Sequence, residues 1–259
     1  MRTRMQIAAL VLSIAFGAAG TLEAAPSSGP EFLFIKNMAP RSRVGLGFSN
    51  HELSRHEFFE RRQSLYAFGE YAFTDFFSLH ASVPYTRRWI TDSERRSHLD
   101  NIELGAKLGW DLGGWMPYFG LAGNLATGNE ESGIGSKEFG NVEPYAGLRL
   151  GQDWFFFAVG ARYNSQTNRQ FREDDEQEFR RYWLLESALA FSFSWIDLML
   201  EYQYKHLRDP GEAAFSGQVL APGVNLKIGD LVVGLSVPWA LSKEREYDLG
   251  FRLQATYLF

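Results

Sequence analysis

Asp248-Leu249-Gly250-Phe251-Arg252-Leu253-Gln254-Ala255-Thr256-Tyr257-Leu258-Phe259 ends the chain. Leu249, Phe251, Leu253, Ala255, Tyr257 and Phe259 are apolar, and the residues between them are polar or small except Leu258. A repeat of two marks a strand with one face in an apolar medium, whereas a helix would repeat at about 3.6. The same pattern sets Ile102, Leu104, Ala106, Leu108 and Trp110 against Asn101, Glu103, Gly105, Lys107 and Gly109. It sets Leu231, Val233, Leu235, Val237 and Trp239 against Gly234, Ser236, Pro238 and Ala240. It also sets Ile196, Leu198, Leu200, Tyr202 and Tyr204 against Asp197, Glu201, Gln203 and Lys205.

Followed outward, the period predicts about twelve strands: 42–51, 57–73, 76–89, 97–111, 115–126, 141–151, 154–165, 178–194, 196–207, 214–228, 231–242 and 246–259. Many exceed the roughly 5–6 residues usual in soluble sheets and reach the roughly 9–11 that a tilted strand needs to cross a bilayer. Tight turns at Thr74-Asp75, Gly113-Gly114, Gln152-Asp153, Ser194-Trp195 and Gly229-Asp230 alternate with longer polar connections, the longest near 127–140 and 167–177. Phe73, Phe76, Phe77, Trp110, Trp115, Trp154, Phe155, Phe193, Trp195 and Phe259 gather at the tight-turn ends. Tyr85, Trp89, Tyr163, Trp183, Tyr204 and Trp239 lie toward the long-loop ends. Two aromatic girdles, short turns on one side and long loops on the other describe a membrane-spanning barrel. A sheet in lipid must close to satisfy its backbone. The expected fold is therefore all-β, a transmembrane antiparallel up-and-down β-barrel over 42–259. An even strand number leaves both chain ends on the tight-turn, periplasmic side.

Upstream, Met1-Arg2-Thr3-Arg4 is basic, Ile7–Gly20 is apolar and small, and Leu22-Glu23-Ala24 suits a cleavage site. This is the plan of a secretory signal peptide over 1–24, followed by a leader over 25–41 that is loose across Ala25–Pro30. The expected location is the outer membrane, reached through a cleaved signal. The chain has no cysteine, which excludes disulfide scaffolds, cysteine nucleophiles and lipidated cysteine. Its formal net charge of −5 argues against nucleic-acid binding.

The terminal Tyr257-Leu258-Phe259 resembles the C-terminal signal of Gram-negative outer-membrane barrels, whose last residue is typically Phe. That resemblance implies recognition of Tyr257 and Phe259 by the barrel-assembly machinery. A narrower resemblance covers about 65–165. Glu70-Tyr71-Ala72-Phe73-Thr74-Asp75, Ser82-Val83-Pro84-Tyr85 and Asn101-Ile102-Glu103-Leu104-Gly105-Ala106-Lys107 are similar to strands of the outer-membrane transporter family labelled "MetA pathway of phenol degradation". Leu125-Ala126-Thr127-Gly128-Asn129, with Gly133 and Gly135, resembles that family's Pro-Thr-Gly-Asp segment, with Ala126 and Asn129 replacing Pro and Asp. The resemblance implies passage of small, hydrophobic or aromatic solutes.

With apolar faces given to lipid, the expected lumen-lining set is Glu70, His80, Glu103, Lys107, Glu143, Arg149, Arg162, Arg180, Glu186, Glu201, Lys205, Lys227 and Arg252, with Asp248 beside them. Charges at bilayer depth must be paired or wet, so they form either a salt-bridged plug or a watered path. Small inward residues (Gly105, Gly147, Gly160, Ala188, Ala190, Gly234, Ser236) predict free volume. Tyr66, Phe68, Tyr118, Tyr145 and Tyr182 are expected to narrow it or to stack on a ring-bearing solute.

The expected role is passive passage of small solutes, without catalytic residues, metal or cofactor. Outer-membrane lipid and lipopolysaccharide are the expected surroundings. The acidic stretch Asn168–Glu178 reads either as a cation or lipopolysaccharide contact or as a solvated charge run. Gly128–Gly140 is Gly-rich but has no phosphate-loop spacing. One alternative is a lipid hydrolase using His51 or His80 with a nearby serine, with Ser49, Asn50, Ser54, His56 and Ser82 at hand. A closed structural or surface-interaction barrel is the other.

Overall fold

The computed structural model describes residues 29–36, 39–55, 58–91, 95–129, 132, 134–135, 140–166, 181–207, 215–243 and 247–259. The signal peptide expected over 1–24, Arg180, His56 and Asn168–Glu178 lie outside the described residues. The strands are β1 (Arg43–Arg55), β2 (Phe58–Thr74), β3 (Phe77–Ile90), β4 (Arg96–Leu99), β5 (Ile102–Gly109), β6 (Trp115–Leu125) and β7 (Asn141–Gln152). They continue with β8 (Phe155–Gln166), β9 (Tyr182–Ser192), β10 (Ile196–Leu207), β11 (Phe215–Ile228), β12 (Leu231–Ser236), β13 (Trp239–Ala240) and β14 (Leu249–Leu258). Each pairs antiparallel with its sequence neighbour, and β1 pairs β14 from Arg43↔Leu258 to Glu52↔Leu249. That last ladder closes the sheet. β4 and β5 both pair β3 and form one stave, and β12 and β13 form another between β11 and β14. The barrel thus has twelve staves and no open edge.

Alternation is what holds this wall together. On β14, Leu249, Phe251 and Leu253 are exposed, whereas Gln254 and Thr256 are buried. Leu104, Leu121, Leu185, Leu198 and Leu235 face outward in the same way on other staves. In water such a surface would be an aggregation liability, and in lipid it is the solvated state. Phe73, Phe76, Trp115, Trp154, Phe193 and Trp195 ring the tight-turn end, and Tyr85, Trp183 and Trp239 ring the other. Two-residue hairpins favour backbones with positive φ, which Asp153 (60°) and Gly229 (60°) adopt.

Two staves break where one run was expected. Asp100 accepts a hydrogen bond from the Asn101 amide at 2.8 Å, a local turn that interrupts 97–111. Pro238 has no amide hydrogen to give the ladder between β12 and β13. β1 runs on to Arg55, four residues past its expected end, pairing Leu53↔Glu60 and Ser54↔Phe59.

The interior holds part of the N-terminal leader, for which the sequence reading gave no position. From Pro30 to Arg41, apart from 37–38, the leader enters the lumen as a loop. Gly29 meets Arg149 and the Phe156 ring near the tight-turn mouth, and Arg41 returns there to begin β1. Phe32, Leu33, Phe34 and Ile35 are buried with Tyr118, Tyr145, Phe156, Ala158, Ala188, Ala190, Met199 and Ala221. Four consecutive apolar residues have no stable place in water, and the barrel interior gives them one.

Candidate functional site

The site is the lumen as this loop leaves it. At the loop apex, Glu201 of β10 accepts hydrogen bonds from the amides of Leu33 (3.3 Å), Phe34 (2.9 Å) and Ile35 (2.8 Å). Successive amides turned toward one anion form a nest, and a wall carboxylate fills it. From the opposite side of the β10–β14 arc, Arg252 Nη1 donates to the Leu33 and Phe34 carbonyls, both at 3.3 Å. Its guanidinium lies 4.6 Å from the centre of the Phe34 ring. Asn225 donates to the Glu31 carbonyl at 2.8 Å. The Leu33 side chain packs over Gly234, where a Cβ would collide with it.

Nearer the tight-turn mouth, Glu31 is paired with Arg41 at 2.5 Å and with Arg43. Burial opposes charge on Glu31, but Arg43 and Arg41 outweigh it and hold the carboxyl below its ordinary range. Glu70 receives Arg43 (2.8 Å), Lys107 (2.8 Å) and the Ser78 hydroxyl (2.6 Å). Lys107 also donates to the Ala39 carbonyl of the loop at 3.3 Å. Farther round the wall from β5 to β9, Lys36 joins Glu103 (3.3 Å) and Glu143 (3.2 Å), and Arg162 joins Glu143 (3.1 Å) and Glu186. Gln203 completes that chain with a 2.9 Å bond to Glu186.

The expected lining residues therefore separate by position. Glu70, Glu103, Lys107, Glu143, Arg162, Glu186, Glu201 and Arg252 meet the loop or one another. His80 is 3.4 Å from Glu103. Lys205 lies 4.4 Å over the Tyr182 ring. Arg149 stacks on Phe156 at 5.5 Å beside Gly29. Lys227 pairs with Asp197 at 2.8 Å at the tight-turn end, and Asp197 also accepts from Asn225 at 3.3 Å. Sequence reasoning missed the loop residues Glu31, Lys36 and Arg41 and, at the start of β1, Arg43. The signal for them was the run Phe32–Ile35 between charges, which a loose leader would not carry.

The free volume read from small residues is largely filled. A Cβ on Gly105 would strike His80, and one on Gly147 or Gly160 would strike Tyr118. Gly47 lies under Tyr66 and Gly120 under Tyr145 in the same way. Rings folded over glycines fill the space and stiffen the sheet. A cavity of about 430 Å³ remains beside the loop, lined from Arg43, Glu70 and Lys107 to Tyr182 and Lys205. Phe34, Lys36, Tyr66, Phe68, His80, Glu103, Arg162, Tyr182, Lys205 and Arg252 are among its walls. It presents rings and both signs of charge to a solute.

The hydrolase alternative can be weighed on the same geometry. His51 packs against Tyr247 at 4.5 Å with its buried Nδ1 unbonded, and neither ring nitrogen of His80 meets a serine. A His–Ser hydrogen bond does join His206 Nδ1 and Ser216 at 3.0 Å, on the outward face. The Tyr204 hydroxyl donates to the same serine at 3.2 Å, and no acid or amide orients His206 among the described residues. A nucleophile needs that third group.

Neither a family model nor a curated protein matches the sequence. Among solved structures the chain is similar to an outer membrane channel from Pseudomonas putida F1, with TM-score 0.69 and 10% identity over 90% of this chain and 100% of that one. The fold is that of outer-membrane barrels. The NanC porin (TM-score 0.53, 10% identity, 84% and 100% covered) and the translocator domain of the autotransporter NalP from Neisseria meningitidis (0.53, 15%, 88% and 91%) are similar as well. At these identities the likeness is one of backbone architecture. It agrees with the resemblance carried by the last strand.

Proposed function

We propose that the protein is an outer-membrane channel for small solutes, with the 30–41 loop as the element that sets how wide the path is. The observation that carries this is the manner of docking. The apex is held by hydrogen bonds and ion pairs to Glu201, Arg252, Asn225, Glu103 and Glu143, beside an aromatic and charged cavity of about 430 Å³. Glu201 and Asn225 are buried, but Lys36 and Glu103 keep 15% and 29% of their side-chain surface exposed, so their link can exchange with water and with a solute. A cavity of this size suits a small organic molecule. Channel and porin likenesses support the reading at the level of architecture.

The absence of cysteine gives a clean test. Leu33 and Gly234 face each other, so Leu33→Cys with Gly234→Cys tethers the apex to β12 under oxidation. Planar-bilayer conductance and solute swelling should be low when oxidised and recover on reduction. Equal conductance in both states would place the path elsewhere, and no conductance in either would favour a closed structural barrel.

A further inference from the structure

Three arginines lie near one tryptophan on the outer wall, of which Arg95 stacks on its ring and Arg61 stands 5.6 Å from the Phe59 ring. Trp89 of β3 lies on the same face as Tyr85 and Arg87, both exposed. Arg61 of β2 is its cross-strand partner and therefore points the same way. The Arg95 guanidinium stands 4.5 Å from the centre of the Trp89 ring. Gln63 and Ser97 flank Arg87 on either side in register, adding neutral hydrogen-bonding groups. Arg61 also pairs with Glu52 at 2.7 Å, and both remain about two-fifths exposed. Among the described residues neither Arg87 nor Arg95 has a carboxylate partner.

Height decides what this patch meets. Arg87 is ten residues above Phe77 of the lower girdle. At about 3.4 Å per residue and a tilt of about 40°, that is roughly 26 Å, the height of the apolar band of such barrels. Arg87 sits between Tyr85 and Trp89, rings that prefer the headgroup level. The long-loop side of an outer-membrane barrel faces outward. The outer leaflet there is built of glycolipid whose sugar head carries phosphate. Guanidinium forks match phosphate bidentately, and the Trp89 ring holds the Arg95 fork in advance.

We propose that Arg61, Arg87 and Arg95, near Trp89, form a site for the phosphorylated sugar head of an outer-leaflet glycolipid. The site rests on the outward orientation of the long loops and not on whether the lumen conducts. It draws on no residue of Asn168–Glu178, the stretch that reads either as a cation or lipopolysaccharide contact or as a solvated charge run.

The test is binding of bis-phosphorylated lipid A to the refolded protein in phosphatidylcholine vesicles. Dephosphorylated lipid A and inorganic phosphate serve as separate arms. Each of Arg61→Gln, Arg87→Gln and Arg95→Gln should weaken binding roughly fivefold, and the triple variant on the order of a hundredfold. Arg181→Gln, an exposed arginine before β9, should leave it unchanged. Arg87→Lys keeps the charge but not the fork and should lose only part of the affinity. The dephosphorylated lipid should bind wild type and triple variant equally weakly. Full affinity in a triple variant that migrates as a folded barrel would overturn the site. So would equal binding of both lipids by wild type. Inorganic phosphate that blocks at lipid-like concentrations would replace the lipid by a small anion and overturn the assignment.

Discussion

Glu201 and Ile35 are 166 residues apart in sequence and 2.8 Å apart in space, joined by a carboxylate accepting a backbone amide. With the Phe34 and Leu33 amides, that one wall residue gathers the apex of the lumenal loop. Glu201→Gln keeps the shape and removes the charge. Charged hydrogen bonds contribute about 1.5–3 kcal/mol and neutral ones about 0.5–1.5, so docking should weaken by about 2 kcal/mol, or roughly thirtyfold in undocked population. Lys36 is a tryptic site within the loop. Its cleavage rate in the refolded barrel should rise accordingly, and a rate equal to wild type would remove Glu201 from the clasp.

Acid should loosen the same loop. The Glu31 carboxyl is held below its ordinary value of 4.5 by Arg43 and Arg41 against the opposing effect of burial. A lowered folded-state value means that its contribution is complete above about 4.5 and fades as the pH falls through the lower value. Pepsin access to 30–41 should therefore rise as the pH falls below 4.5. Glu31→Gln should show raised tryptic access already at pH 7, with a flatter profile beneath it. An unchanged profile in the variant would assign the acid response to another group.

Two ion pairs differ in what their loss costs. Lys107 is buried between Glu70 and the Ala39 carbonyl, so Lys107→Met leaves a buried carboxylate with fewer partners. A loss of about 3 kcal/mol in urea unfolding is expected. Arg61 and Glu52 are about two-fifths exposed, and Arg61→Gln should cost less than about 1 kcal/mol. Similar costs for both would contradict the burial of Lys107.

Rings over glycines predict coupling. Gly47→Ala puts a methyl where the Tyr66 ring lies and should destabilise the barrel by about 1–3 kcal/mol. In Tyr66→Ala the same methyl meets space. The double variant should be more stable than the sum of the single losses by at least about 1 kcal/mol, and simple additivity would refute the packing.

The staves were legible because lipid enforces one rule along each of them. Leu249, Phe251 and Leu253 could only face out, which left Gln254 and Thr256 inside. Where lipid ends, the rule ends. Glu52–Arg55 lie toward the long-loop end, with no apolar alternation to announce their pairing, so β1 extends beyond the expected 51. The expected lining charges were readable one at a time, but their arrangement was not. Lys107 could be placed inward by period, yet its bond to Ala39 depends on a segment with no strand pattern. Phe32–Ile35 obey no period, and only their oiliness within a supposed linker hinted that they need cover.

The clasp has a consequence for the order in which the molecule is made. Glu201, Asn225 and Arg252, which hold Glu31 and Leu33–Ile35, all belong to the last quarter of the polypeptide. The loop is synthesised among the first segments and finds its partners among the last, across separations of 166 to 219 residues. Contacts so distant are the slowest to form, because long chain closure precedes any return from them. The loop is a keystone set after the arch, so failure to set it would leave a complete wall around an unfilled centre.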